Sequence, residues 1–160
     1  MKQRANKNGC DNNNWATPQH VLNYISTTFF NGEEFFDPCP LGMRFEDGKM
    51  RNGLEMNWAE YNFINPPYSR KLKEQFIKKA FEESKQNKIC VMLLPVSTET
   101  QIFHDIIVPN AEVIFIKQRI CFTGFNSKGA YVTNSAGQSG SMLVIFGKNH
   151  KRNISTIEFK

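Results

Sequence analysis

The chain lacks most of the features that would assign it quickly. No stretch approaches ~18 consecutive apolar residues, so no membrane-spanning helix is expected. No apolar segment follows Met1-Lys2-Gln3-Arg4, so the Asn-rich start does not read as a secretory signal, and a cytoplasmic protein is expected. The four cysteines (Cys10, Cys39, Cys90, Cys121) include no C-x-x-C pair, and His20, His104 and His150 are equally dispersed. A metal site needs clustered ligands, so none is expected, and the thiols read as reduced and partly buried. Neither sign of charge dominates: 20 Lys+Arg stand against 15 Asp+Glu, a net charge of +5. With 40% hydrophobic residues, that balance excludes a disordered chain. The length of 160 residues suits one domain burying roughly 70% of its unfolded surface and leaves no room for a second.

What is present is an alternation of helical and strand patterns. Residues 1–14 are polar and read as a flexible N-terminal arm, leaving 15–160 as a single domain. Thr17 as N-cap and Pro18 at the first helical position open a helix with Val21, Leu22, Ile25 and Phe29 on one face, ended by Asn31-Gly32. Short strands are expected at 34–37 and 61–64, each stopped by proline. Ser69 caps a helix over about 70–86, whose apolar stripe is Leu72, Phe76, Ile77, Ala80 and Phe81. The run 89–94 reads as a strand buried on both faces. Thr98-Glu99-Thr100-Gln101 has capping-box spacing ahead of another helix. Strands follow at 113–116, with 120–122 either extending that strand or forming another, and at 142–146, with an edge strand at 154–159. Residues 123–140, rich in Gly, Ser, Asn and Thr, read as a long loop. The order implies an α/β fold: a compact, mostly parallel central sheet with helices on both faces. In such sheets ligands bind beyond the carboxyl ends of the strands. The turns Asp37-Pro38-Cys39-Pro40 and Asn65-Pro66-Pro67-Tyr68 should therefore open onto one crevice.

The second turn carries the most chemistry. Two prolines fix φ and remove N–H donors, so their carbonyls can face outward as acceptors. Asn65 adds a side-chain acceptor from a rigid base. An exocyclic amine between such acceptors gives both hydrogens to them and turns its lone pair toward an electrophile. Tyr68 offers a flat face for an extruded heterocycle. A rigid strand-to-helix turn without chemistry is the plain alternative. Asp37, at the end of a strand, needs a partner for its charge.

Asn65-Pro66-Pro67-Tyr68 resembles motif IV of the amino-group methyltransferases that use S-adenosylmethionine. The Asn form occurs in enzymes acting on adenine N6, on guanine N2 in RNA and on glutamine N5 in protein. Trp15-Ala16-Thr17-Pro18, Phe36-Asp37-Pro38-Cys39-Pro40, Asn52-Gly53-Leu54 and Asn57-Trp58 precede it in an order that resembles the small phage-type DNA N6-adenine methyltransferases. The segments 93–95, 116–122 and 141–146 extend the likeness to roughly residues 15–147. The resemblance implies a Rossmann-like fold, S-adenosylmethionine as cofactor and DNA as partner, in a bacterial host cell. It implies Asn65, Pro66, Pro67 and Tyr68 as catalytic residues, and Trp15, Thr17, Pro18, Asp37, Pro38, Cys39 and Asn52 as cofactor-binding residues. Three departures accompany it. Pro40-Leu41-Gly42 stands where larger methyltransferases have Gly-x-Gly, Asn52 stands where Asp is frequent, and only 28 positions separate Asp37 from Asn65. Glu46, Asp47 and Glu55 are the remaining acids for a ribose contact.

Residues 69–88 hold seven Lys/Arg against three Glu. Arg70, Lys71 and Lys73 open the helix after the proline turn, where free N–H groups attract phosphate. Arg119, and Lys148, Lys151 and Arg152, add positive charge, which favours a polyanion and salt-sensitive binding. The segment 123–140, with Phe125, Lys128 and Tyr131, is the one stretch long enough to read bases, and no separate target-recognition domain is expected. The expected activity is methylation of adenine N6 in DNA. The alternatives are an RNA or protein-glutamine amino methyltransferase, and a catalytically silent nucleic-acid-binding module of the same fold.

Overall fold

The computed structural model describes residues 15–41, 51–125, 130–137, 139–147 and 153–159. The expected N-terminal arm, Glu46, Asp47, Lys128, Lys148, Lys151, Arg152 and the side chain of Phe125 lie outside the described residues. In chain order the elements are β1 (Trp15–Ala16), α1 (Gln19–Phe29), β2 (Tyr61–Ile64), α2 (Arg70–Ser84), β3 (Ile89–Pro95), a π-helical turn (Phe103–Ile107) running into α3 (Val108–Asn110), β4 (Glu112–Ile116), β5 (Cys121–Phe125), β6 (Tyr131–Ala136), β7 (Ser141–Phe146) and β8 (Ile154–Ile157).

Two sheets form. The larger has the strand order β2-β3-β7-β4-β8, and the smaller β1-β5-β6. This corrects the mostly parallel, Rossmann-like sheet expected from the alternation. β2 with β3 and β4 with β8 are parallel. β7 lies between β3 and β4, antiparallel to both, and every pairing in the small sheet is antiparallel. The reason is the connection between β4 and β7. Among its described residues it holds the β5–β6 hairpin and no crossover helix, so the chain returns in the opposite direction. Burial on both faces gives β7 the apolar run of a parallel strand whichever way it points.

β3 shows how the sheet divides the core. Cys90, Met92 and Leu94 face a cluster with Phe76, Ile77 and Ala80 of α2 and with Ile102, Phe103 and Ile107. Val91 and Leu93 face the other way, onto Val21, Ile25 and Phe29 of α1. Side chains alternating across a strand place successive residues in opposite layers.

Local corrections have local causes. α1 ends as its sequence indicates: Asn31 takes φ 54°, Gly32 takes φ 80°, and the Gly32 N–H reaches the Ser26 carbonyl at 3.0 Å. Its start differs. Pro18 is the N-cap, its carbonyl accepts from Val21 and Leu22, and no side chain caps the helix. The expected strand at 34–37 is a single parallel bridge between Phe36 and Asn62. The capping box at Thr98 does not form. The first helical turn starts from the Thr100 carbonyl, and the Val108 N–H bonds back to Phe103, five residues away. Pro109, in α3, has no N–H to continue a regular ladder. The expected loop 123–140 contains the β5–β6 hairpin. Its Thr123, Tyr131, Val132 and Thr133 favour strands despite the polar composition around them.

Candidate active site

The parallel bridge at Phe36–Asn62 sets the segment ending at Asp37 beside β2. The Phe36 N–H bonds to the Tyr61 carbonyl at 2.9 Å, and the Phe63 N–H to the Phe36 carbonyl at 3.0 Å. Both chains therefore leave the sheet in the same direction, one into Asp37-Pro38-Cys39 and the other into Asn65-Pro66-Pro67-Tyr68. β2 itself is held by buried Asn62. Its Oδ1 accepts from the Ala59 N–H at 2.9 Å, and its Nδ2 donates to the carbonyls of Ala59 at 2.8 Å and Ile89 at 3.3 Å.

Asn65 is where three segments meet. Its Nδ2 donates to Thr17 Oγ1 at 3.2 Å and lies 3.5 Å from the Trp15 carbonyl. Its backbone N–H faces the Cys39 thiol and favours the thiolate, against the larger effect of burial. Trp15 and Ala16 are in turn paired with Gly124 and Thr123 of β5. With the amine end of the amide so engaged, Oδ1 is the end left to accept. Among the described residues the Pro66 carbonyl accepts no hydrogen bond either. Pro66 is buried and Pro67 half-buried. Tyr68 is 42% exposed overall, while desolvation of its hydroxyl raises the phenol pKa above the ordinary value.

Asp37 Oδ1 accepts from the Cys39 N–H at 2.8 Å, an Asx turn. Burial pushes the carboxyl pKa up to about 6, against the smaller opposing effect of that hydrogen bond. The same burial, helped by the neighbouring Asp37 charge, raises the Cys39 thiol well above its usual range. Among the described residues no cation pairs with Asp37. Trp15, Thr17, Asp37, Cys39 and Asn65 thus come together around one turn.

Other expected site residues stand apart from that contact set. Asn52 closes a local turn: its Oδ1 accepts from the Leu54 N–H at 3.1 Å and its Nδ2 donates to Glu55 at 3.0 Å, which engages both ends of the amide and the Glu55 carboxylate. Arg70 is ion-paired with Glu74 at 3.0 Å. Lys79 and Lys88 hold buried Glu83 at 2.9 and 2.5 Å and keep its carboxyl below the ordinary range, while Lys85 pairs with Glu82. Lys71, Lys73 and Lys78 remain as the cations of α2 without an ion pair among the described residues. Arg119 donates to the Gly137 carbonyl at 3.3 Å, bracing the start of β5 against the end of β6.

Two residues that brace the site carry no chemistry of their own and went unassigned. A Cβ on Gly53 would lie 1.7 Å from the Pro38 carbonyl oxygen, so only glycine lets the turn at 52–55 press on the Asp37 loop. Trp58 Nε1 donates to the Gly53 carbonyl at 2.9 Å, and its ring stacks on Phe76 at 6.4 Å. The Asn-Gly pair was the available sequence signal for a tight turn.

A bridged segment ending in an acidic turn and a strand ending in a proline turn thus bring the Asp37 carboxylate and the Asn65 amide to the same edge of the sheet. The chain belongs to the DNA N-6-adenine-methyltransferase (Dam) family, whose model matches residues 4–160. It is also similar to a protein of Escherichia phage T1 described as a DNA N-6-adenine-methyltransferase, with 30% identity over 113 residues, 64% of this chain. The match spans 44% of that relative's length. No solved structure matches the chain.

Proposed function

We propose that this protein methylates the N6 amino group of adenine in DNA, with S-adenosylmethionine as donor. The observation that carries the reading is the Asn65 amide, whose donor end is engaged by Thr17 and lies close to the Trp15 carbonyl, beside a Pro66 carbonyl with no partner among the described residues. Two acceptors on a rigid turn are what an exocyclic amine requires. Asn65 Oδ1 and the Pro66 carbonyl take its two hydrogens and orient the nitrogen lone pair away from themselves. They also stabilise the positive charge that develops there, until a proton leaves to water. Tyr68, with its exposed ring, stacks on the extruded base.

The residues present suit the cofactor. Asp37 is a desolvated carboxylate with no cation beside it among the described residues, and it suits the ammonium of the methionine part. Thr17 and the Pro38–Cys39 turn stand alongside. When bound, S-adenosylmethionine supplies an electrophilic methyl group on sulfur. Lys71 and Lys78, both exposed and seven positions apart on α2, share a face that supplies positive charge for phosphates, with half-buried Lys73 on another side of the helix. Tritiated methyl transfer to DNA, RNA and protein acceptors tests the reading. Label in DNA alone is expected. Label only in RNA or protein would overturn the substrate, and the absence of both transfer and cofactor binding would leave a silent binding module.

A further inference from the structure

Thr17 stands where a helix-capping hydroxyl is expected, yet no side chain caps α1 and its oxygen accepts from Asn65 Nδ2 at 3.2 Å. The Trp15 carbonyl, which can only accept, stands 3.5 Å from the same nitrogen. Side-chain amides rotate between two broad orientations that differ in which end faces a partner. Reversing Asn65 would set Oδ1 against the Trp15 carbonyl with no proton between them. The Trp15 carbonyl cannot easily withdraw, because β1 is paired to Gly124 and Thr123 of β5.

We propose that Thr17 is a positioning residue of the methyl-transfer site. With the Trp15 carbonyl it fixes the Asn65 amide so that Oδ1, and not Nδ2, faces the substrate amine. The proposal rests on the reading above, in which Asn65 Oδ1 accepts an amine hydrogen. Without the Thr17 hydroxyl only the longer 3.5 Å contact to the Trp15 carbonyl holds Nδ2, so the amide turns away from its set angle and Oδ1 is no longer aimed at the substrate amine. Such a complex still forms but is not aligned for transfer, so the loss falls on turnover rather than on binding.

The test compares Thr17→Ser, which keeps the hydroxyl, with Thr17→Val, which keeps the shape. Methyl transfer to DNA is measured at saturating donor and DNA, with donor affinity by calorimetry. Thr17→Ser is expected to keep kcat within about threefold, and Thr17→Val to lower it on the order of tenfold or more. Loss of donor affinity alone at unchanged kcat would overturn the proposal, as would equal behaviour of the two variants. The Asn65 side-chain amide resonances, followed by NMR in the protein without ligands, give a second readout that needs no activity. They are expected to shift in Thr17→Val and to stay near their wild-type positions in Thr17→Ser. Unchanged resonances in Thr17→Val would overturn the bond itself. Absence of methyl transfer by the wild-type protein would instead count against the function, with the resonances still deciding the role of Thr17.

Discussion

Asn62 lies within β2 and Asn65 three residues on, just past its end, and their surroundings differ. Asn62 is fully buried, and both ends of its amide are taken by backbone groups of Ala59 and Ile89. Asn65 has only its donor end taken, and by another segment of the chain. The first is a cross-brace that holds β2 to β3. The second is a cross-brace with an acceptor to spare, which is what a site needs and a core avoids. The same side chain thus reads as structure or as chemistry according to how completely its hydrogen bonds close.

Substitutions at the two positions should separate these roles. Asn65→Ala should lower methyl transfer by on the order of a thousandfold, about 4 kcal/mol of transition-state stabilisation, with little change in melting temperature or donor affinity. Asn62→Ala should do the reverse. It removes the acceptor of the Ala59 N–H and the donor to the Ala59 and Ile89 carbonyls and leaves a gap at a fully buried position, and denaturant unfolding should report a loss of about 2–4 kcal/mol. Gly53→Ala sharpens the contrast from a third direction. Its Cβ would be driven into the Pro38 carbonyl, so stability should fall by roughly 1–3 kcal/mol, and donor affinity with it as the Asp37 loop shifts.

Asp37 provides a smaller, pH-dependent effect. Its folded pKa of about 6 lies above the ordinary 3.8, so the native state holds the proton more tightly than the unfolded chain does. Stability contributed by the neutral form is full below pH 3.8 and is lost as pH rises through about 6. Asp37→Asn should therefore be more stable than wild type at pH 8, by up to roughly 3 kcal/mol, and similar to it near pH 3.5. Donor binding should show the opposite trend. A cationic ligand needs the carboxylate, so wild-type affinity should rise through pH 6, and Asp37→Asn should bind weakly with that dependence removed. Scanning calorimetry from about pH 3.5 to 8 reads the stability, and titration calorimetry from about pH 5 to 8 reads the donor affinity.

The parts legible in the sequence were those set by local pattern. The stripe Val21, Ile25, Phe29 placed α1, the apolar run at 89–94 placed β3, and Asn31-Gly32 marked the helix end correctly. The proline turns identified where the chain leaves the sheet. Strand direction was not legible, because a strand buried on both faces shows the same composition either way up, and β7 runs against its neighbours. The β5–β6 hairpin was hidden by Gly, Ser and Asn, although Phe122-Thr123 and Tyr131-Val132-Thr133 are residues that favour strands. Thr17 was read as a cap because local statistics see only its own helix. Its partner lies 48 positions away and is brought to it by the folding of β1 onto β5. Gly53 was invisible for a similar reason, since its need for a missing Cβ arises from Pro38 in a different turn.

The most direct measurement is mass spectrometry of nucleosides from DNA incubated with the protein and S-adenosylmethionine, run in parallel for wild type and Asn65→Ala. The account predicts N6-methyladenine with the first and none with the second. N6-methyladenine at equal yield from both, or a methyl group on any other base, would contradict it.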